Sequence, residues 1–320
     1  MKRALRRPRV AILGCGHVGR ALAVELLDAR PAPVRGKLQV WSRRRHSVAA
    51  LRRLVASQGK EQRLRVCASA WEAVAGAEVV LLCVADDALG PFVRELAREG
   101  TGKPTPVVLS TNGFLPLSTL APLKRLGFPV GRMHPLAPVP AGLELTNLTM
   151  APFGLEGDPR AVRAARSLVK GIDGTALRLK PGAAPAYHAA ASLLGGGLVA
   201  LFDQTERVMR PALRSPASMR TALADFAGTV LCGLDDLGPE RALTGALARG
   251  SEAIVRGHLV ALEREPGALE LYCLLGERML ALAQARGSLG ARRRKVLDAL
   301  LKSTRRREKR TRRRSDRATS

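Results

Sequence analysis

Short apolar runs alternate with stretches of helical spacing through the first half of the chain. Val10 to Leu13, Lys37 to Trp41 (KLQVW), Val79 to Val84 (VVLLCV), Val107 to Leu109 and Val130 to Met133 have the form of strands buried on both faces of a sheet. A weaker strand signal lies near Leu64–Cys67. Between these runs, helical periodicity covers Val18–Leu27, Ser47–Ser57, Ala70–Ala75, Leu89–Glu99 and Leu117–Leu126. Strands and helices alternating at this spacing predict an α/β fold built on a doubly wound parallel sheet. Leu148–Ala151, a helix over Pro159–Lys170 and a strand at Ala176–Leu179 extend it. Beyond Pro185 the strand signals stop. Ala186–Arg210, Met219–Asp235, Glu240–Ala248, Glu252–Arg264 and Leu269–Arg286 all read as helices. The expected division is residues 1–183 as the α/β domain and 184–290 as an all-α C-terminal domain, with a basic tail at 291–320.

Composition changes the picture at the tail. The chain of 320 residues carries a net charge of +26. From Ala291 to Ser320 there are 14 Lys/Arg and 3 Asp/Glu, so that end alone holds +11. The stretch KSTRRREKRTRRRSDRATS has no apolar residue larger than Ala318 to bury, which predicts disorder and a non-specific contact with polyanions. It also has no aromatic residue, which argues against sequence-specific nucleic-acid recognition. The remaining positive charge favours anionic ligands in general. No run reaches the roughly 18 uninterrupted apolar residues of a membrane span, so no membrane partner is expected. The start, MKRALRRPRV, is basic but has no signal-peptide apolar region. Five scattered cysteines lack metal spacing, and an odd number does not suit a disulfide framework. A cytoplasmic location is the simplest expectation.

The chemistry begins at the first turn. Gly14, Cys15, Gly16, His17, Val18 and Gly19 form G-x-G-x-x-G between a strand and a helix. In such a loop one glycine makes the tight turn, one lets the backbone approach a pyrophosphate and one lets helix and strand pack closely. The helix start adds unpaired N–H groups and a positive dipole end. This context makes the motif a dinucleotide-binding site and the domain Rossmann-like. The second strand ends in Ser42-Arg43-Arg44, where NAD sites usually place a carboxylate. A carboxylate repels a 2′-phosphate, whereas a hydroxyl and guanidinium groups bind it, so NADP is the expected cofactor. Ligands of these sheets sit beyond the C-terminal strand ends. That adds Val84, Ala85 and Asp86, then Ser110, Asn112 and Gly113, and also His134, to the expected crevice.

In the helical half, His188 and Ser192 are four apart on one helix face, just before Gly195-Gly196-Gly197. Glycine inside a helix costs about 1 kcal/mol relative to alanine, so either something packs closely there or the helix kinks. His188 suits an acid/base group facing the nicotinamide, or a helix-start histidine bonded to a neighbouring loop. Arg249 precedes Gly250 and the N-cap candidate Ser251, and could bind an anionic substrate group. His258 lies on the helix that follows.

The segments VVLLCVADDAL, MHPLAPV, NLTMAPFGLEGD, AYHAAASLL and TGALARG with a downstream HL-x-AL resemble an uncharacterised oxidoreductase family. Its members join a Rossmann-like NADP-binding domain to a helical C-terminal domain of unknown function. The arrangement is similar to the 6-phosphogluconate dehydrogenase and pyrroline-5-carboxylate reductase group. The resemblance spans roughly residues 8–285 and puts His134, His188, Arg249 and His258 on motif positions. By analogy with the group it also implies a homodimer joined through the helical domain. The chain departs from the pattern at three places. Gly196 stands where the family has Asn, Ser251 and Ile254 stand for Asp and Thr, and Ala246 stands for Pro.

Two functions follow as expectations. One is NADP(H)-dependent hydride transfer to or from a small, carboxylated substrate held between the domains, with His188, Ser192, His134, Arg249 and His258 as catalytic candidates. The other is a non-catalytic NADP(H)-binding sensor or scaffold, toward which the missing Asn and Asp point.

Overall fold

The structure, a computed structural model, describes residues 7–100, 105–138 and 147–319. The first six residues of the basic start lie outside it. The chain falls into two units, Met1–Gly195 and Gly196–Ser320.

An eight-stranded sheet organises the first unit. Its strands are β1 (Val10–Leu13), β2 (Leu38–Trp41), β3 (Leu64–Val66), β4 (Val79–Leu82), β5 (Val107–Ser110), β6 (Val130–Pro135), β7 (Pro152–Gly157) and β8 (Thr175–Arg178). They lie in the order β3-β2-β1-β4-β5-β6-β7-β8. The first six are parallel to one another. Side-chain alternation splits each central strand between two cores. Val10 and Ile12 face one, with α1 (His17–Asp28), α2 (Arg45–Ser57) and α6 (Pro159–Gly171). Ala11 and Leu13 face the other, with α3 (Ala70–Ala75), α4 (Asp86–Glu99) and α5 (Ala121–Arg125). The fold is a Rossmann-like doubly wound sheet. Its strand order reverses between β1 and β4, where ligands of this architecture lie beyond the C-terminal strand ends.

Two expectations need correction here. The run at Leu148–Ala151, expected to extend the α/β structure, lies before β7, which starts at Pro152 and pairs antiparallel to β6 where an all-parallel sheet was expected. No helix among the described residues separates β6 from β7, and a parallel return requires a crossover. The division also falls later than Pro181–Pro185. It lies at Gly195, within one continuous helix, α7 (Ala184–Met209). The glycine triplet neither kinks α7 nor packs closely against this chain. A Cβ built on Gly195, Gly196 or Gly197 meets nothing within 4 Å.

The second unit continues with α8 (Met219–Ala242), bent at Gly238 (φ 72°) before Pro239. Then come α9 (Ala246–Arg249), α10 (Glu252–Ala261), α11 (Pro266–Ala285) and α12 (Ala291–Thr319). Leu247, Val255, Leu259, Leu269, Cys273 and Leu280 form its core together with Leu297 and Leu301 of α12. Residues Ala291–Thr319 are therefore helical rather than disordered. Leu297, Leu300 and Leu301 recur at helical spacing, anchor α12 on α11, and seed a helix that extends cooperatively into the arginine-rich stretch. An exposed apolar stripe runs along α7, with Leu193, Leu194 and Val199 at 78%, 67% and 71% exposure. Residues Ala184–Ala212 are long and apolar enough to cross a membrane by length and composition alone.

Candidate functional site

The glycine loop shows three separate constraints. Gly14 takes φ +105°, and a Cβ there would lie 2.3 Å from the carbonyl oxygen of Cys83. A Cβ on Gly19 would lie 1.9 Å from the carbonyl oxygen of Gly14. Gly16, the N-cap of α1, has nothing within 4 Å of its Cβ position and is exposed with His17. Two glycines are thus required by the fold, and the middle one leaves open space at a helix N-terminus. That is the cradle a pyrophosphate would fill. Arg20 braces the loop, donating from Nη1 to the Cys15 carbonyl at 3.3 Å, and its Nη2 is 3.4 Å from His17 Nδ1. The Cys15 side chain points inward, and burial pushes its thiol up to about 12. Only its backbone can serve a ligand. Val18 is half-buried on the first turn.

Ser42, Arg43 and Arg44 lie between the end of β2 and α2, with Arg44 as the α2 N-cap. Arg43 is held by Glu95 of α4 at 2.7 Å. Arg44 is exposed and makes no ion pair among the described residues. Val84 and Ala85 form the turn after β4, and Ala85 caps α4, whose first residue is Asp86.

The turn after β5 is fixed from within. Ser110 and Asn112 are buried. Ser110 Oγ accepts from Asn112 N–H at 3.2 Å. Asn112 Oδ1 accepts from the N–H groups of Phe114 (2.9 Å) and Leu115 (2.5 Å), while its Nδ2 donates to Asp86. Both polar side chains are engaged in shaping the turn. Beneath it Arg132 of β6, 1% exposed, donates to the carbonyls of Asn112 (2.7 Å) and Leu115. Its Nε lies 3.5 Å from Oε2 of Glu156, directly opposite on β7.

This turn carries Gly113 to the point where two imidazoles meet. A Cβ on Gly113 would be 2.7 Å from His134 Nε2 and 2.7 Å from His188 Cδ2. The two rings have centroids 5.9 Å apart, and His188 also packs edge-on to Phe114 at 6.0 Å. His134 ends β6; His188 stands on the first turn of α7. Burial, followed by the positive charges of His188 and Arg132, holds the His134 pKa down to about 4, against an opposing pull from Asp86. Its Nδ1 lies 3.1 Å from the Tyr187 hydroxyl.

The structure therefore places the glycine loop after β1 and the His134–His188 pair beyond β5 and β6, at the C-terminal edge of the same sheet in the first unit, with β4 between β1 and β5. Ser192, one turn along α7, is exposed. Arg249 and His258 belong to the second unit. Arg249 ends α9 before Gly250 (φ 70°), and His258 Nδ1 lies 2.9 Å from the Tyr272 hydroxyl. Sequence reading placed Gly113 in the crevice with Ser110 and Asn112 but missed Arg20, Arg132 and Tyr187. An arginine inside a strand and a tyrosine beside a histidine carry no motif. The unusual charge of Arg132 within VGRMHP was the available signal.

Comparison with known proteins agrees with this geometry. Residues 9–112 match the family described as NADP oxidoreductase coenzyme F420-dependent, and residues 151–279 match a domain of unknown function, DUF2520. No curated protein matches the chain. Among solved structures, the protein TM1727 from Thermotoga maritima is similar at 20% identity and TM-score 0.61, over 86% of this chain and 98% of that one. Pyrroline carboxylate reductase of Plasmodium falciparum, crystallised with NADP bound, is similar at 12% identity and TM-score 0.59, over 92% and 99%. An imine reductase from Pseudomonas sp. follows at 14% identity and TM-score 0.54, over 93% of each chain. At these identities the structures speak to the fold. The chain thus joins a region that matches the NADP oxidoreductase coenzyme F420-dependent family to a C-terminal region that matches DUF2520.

Proposed function

We propose that this protein transfers a hydride between NADP(H) and a small, carboxylated substrate, with His188 as the proton donor. The observation that carries the reading is the pair of imidazoles meeting over Gly113, on the same C-terminal edge of the sheet as a loop whose middle glycine is open. The open face of Gly16 and the first N–H groups of α1 suit the pyrophosphate, and Arg44 at the α2 N-terminus suits the 2′-phosphate. When bound, the cofactor supplies the hydride. His188, on the first turn of a helix and packed by Phe114, would give up the proton that balances it. The carboxylate follows from the family resemblance and the cationic surroundings. His188→Ala should lower turnover by about two orders of magnitude and leave NADPH affinity unchanged, as read by steady-state kinetics and titration. Turnover within a few-fold of the parent would remove the histidine from this role.

The second reading is a sensor that binds NADP(H) without catalysis. It is favoured by Gly196, which stands where the family pattern has Asn and has nothing packed beside it. Unchanged NADPH with every carbonyl and imine tried would select it. We further infer a homodimer. The exposed stripe on α7 and the open glycines beside it suit close packing against a second copy of the chain. The exposed thiol of Cys232 goes with a reducing, cytoplasmic location. The basic face of α12 suits non-specific contact with polyanions.

A further inference from the structure

We propose that Tyr187 holds His134 as its neutral Nδ1–H tautomer, so that Nε2 offers a fixed lone pair in the crevice and selects ligands that bring an N–H or O–H to it. The Tyr187 hydroxyl meets three groups. They are the N–H of Gly154 at 3.1 Å, Nδ1 of His134 at 3.1 Å and the backbone carbonyl oxygen of His134 at 3.2 Å. A phenol has one proton to give and two lone pairs to receive. The Gly154 N–H can only donate, and the carbonyl can only accept. The phenolic proton therefore goes to the carbonyl. The contact with Nδ1 is then a hydrogen bond only if Nδ1 carries the imidazole proton.

A neutral ring protonated at Nδ1 is bare at Nε2. Desolvation keeps this ring neutral at pH 7, with the charges of His188 and Arg132 adding to the effect and Asp86 opposing it. Nε2 accepts no hydrogen bond among the described residues, and it is not one of the buried, unpartnered polar atoms. It stands against Gly113, beside the edge of the His188 ring. Two glycines keep the device in register. A Cβ on Gly154 would lie 2.5 Å from Cζ of Tyr187, and a Cβ on Gly113 would fill the space in front of Nε2. A carboxylate oxygen set against that lone pair is repelled; an ammonium, iminium or hydroxyl hydrogen is received. The donor requirement rests on the hydride-transfer reading only in calling the ligand a substrate.

The test uses the full chain labelled with 15N at histidine and long-range proton–nitrogen spectra at pH 7, without NADPH or substrate. The expected result is a pyrrole-type Nδ1 and a pyridine-type Nε2 for His134, assigned by their loss in His134→Gln. Tyr187→Phe should shift the ring toward the Nε2–H form while the His258 signals stay in place. An Nε2–H tautomer in the parent, or an unaltered Nδ1–H pattern in Tyr187→Phe, overturns the proposal. Where the variant does not fold, the parent spectrum decides. Piperidine, an N–H donor, should then displace the Nε2 resonance, and isosteric tetrahydropyran should not. Displacement by the ether as large as by the amine, or by neither, overturns the acceptor role. A chain with this tautomer that never oxidises NADPH contradicts the proposed activity and leaves this proposal standing.

Discussion

Arg43 and Arg44 are neighbours with different commitments. Arg43 is held by Glu95 on α4, whereas Arg44 stands at the start of α2 without an ion pair among the described residues. A 2′-phosphate must compete for the first and meets the second already in place. A charge-assisted contact of this kind is worth about 1.5–3 kcal/mol, or roughly ten- to a hundredfold in affinity. Arg44→Ala should therefore erase most of the preference for NADPH over NADH, and Arg43→Ala should cost less. Titration of both cofactors against both variants checks the order, and a larger loss at Arg43 would reverse the assignment. At this scale the sequence told which residue types meet a phosphate, because glycine spacing and a missing carboxylate are local signals. It did not tell that Asn112 and Ser110 are consumed inside their own turn. That depends on hydrogen bonds whose partners, Asp86 and Phe114 among them, are set by the fold.

The elements around the site depend on one buried cation. Arg132 ties β6 to the turn that presents Gly113, and Glu156 on β7 balances its charge. Removing one member of a buried pair leaves an uncompensated charge and costs about 3–5 kcal/mol. Arg132→Leu should lower unfolding free energy by about that amount in a urea titration and also weaken turnover, since Gly113 loses its support. A loss under about 1 kcal/mol would show that the turn holds itself. The parallel strands were readable because apolar runs and helix spacing repeat in order. The antiparallel β7 was not, since a return without a crossover leaves no local mark. The α12 helix was hidden by its own charge, with Leu297, Leu300 and Leu301 a small sign of an inner face.

For the whole molecule, α12 separates into an anchor and an extension. Leu297 and Leu301 are fully buried and the Arg305–Glu277 pair is mostly buried beside them, whereas the Arg307–Glu263 pair lies at the surface. Exposed pairs are worth about 0–1 kcal/mol. Deleting residues 303–320 should leave the melting temperature nearly unchanged and weaken the salt-dependent binding of a polyanion such as heparin. A large drop in melting temperature would show that the extension is part of the fold. If α7 joins two copies as proposed, the parent should run as a dimer in light scattering and Leu193→Glu as a monomer; equal masses would place any interface elsewhere. The account as a whole stands on NADP(H) occupying the loop between β1 and α1. Gly16 separates that claim from mere folding, because its Cβ position is empty in the protein while those of Gly14 and Gly19 are occupied by backbone. The direct measurement is NADPH titration by calorimetry of the parent and of Gly16→Ala, with melting curves for both. The account predicts that the parent binds NADPH more tightly than NADH. It also predicts that Gly16→Ala melts with the parent and loses at least tenfold in NADPH affinity, about 1.4 kcal/mol. A parent that does not bind NADPH, or a variant that binds it equally well, would contradict it.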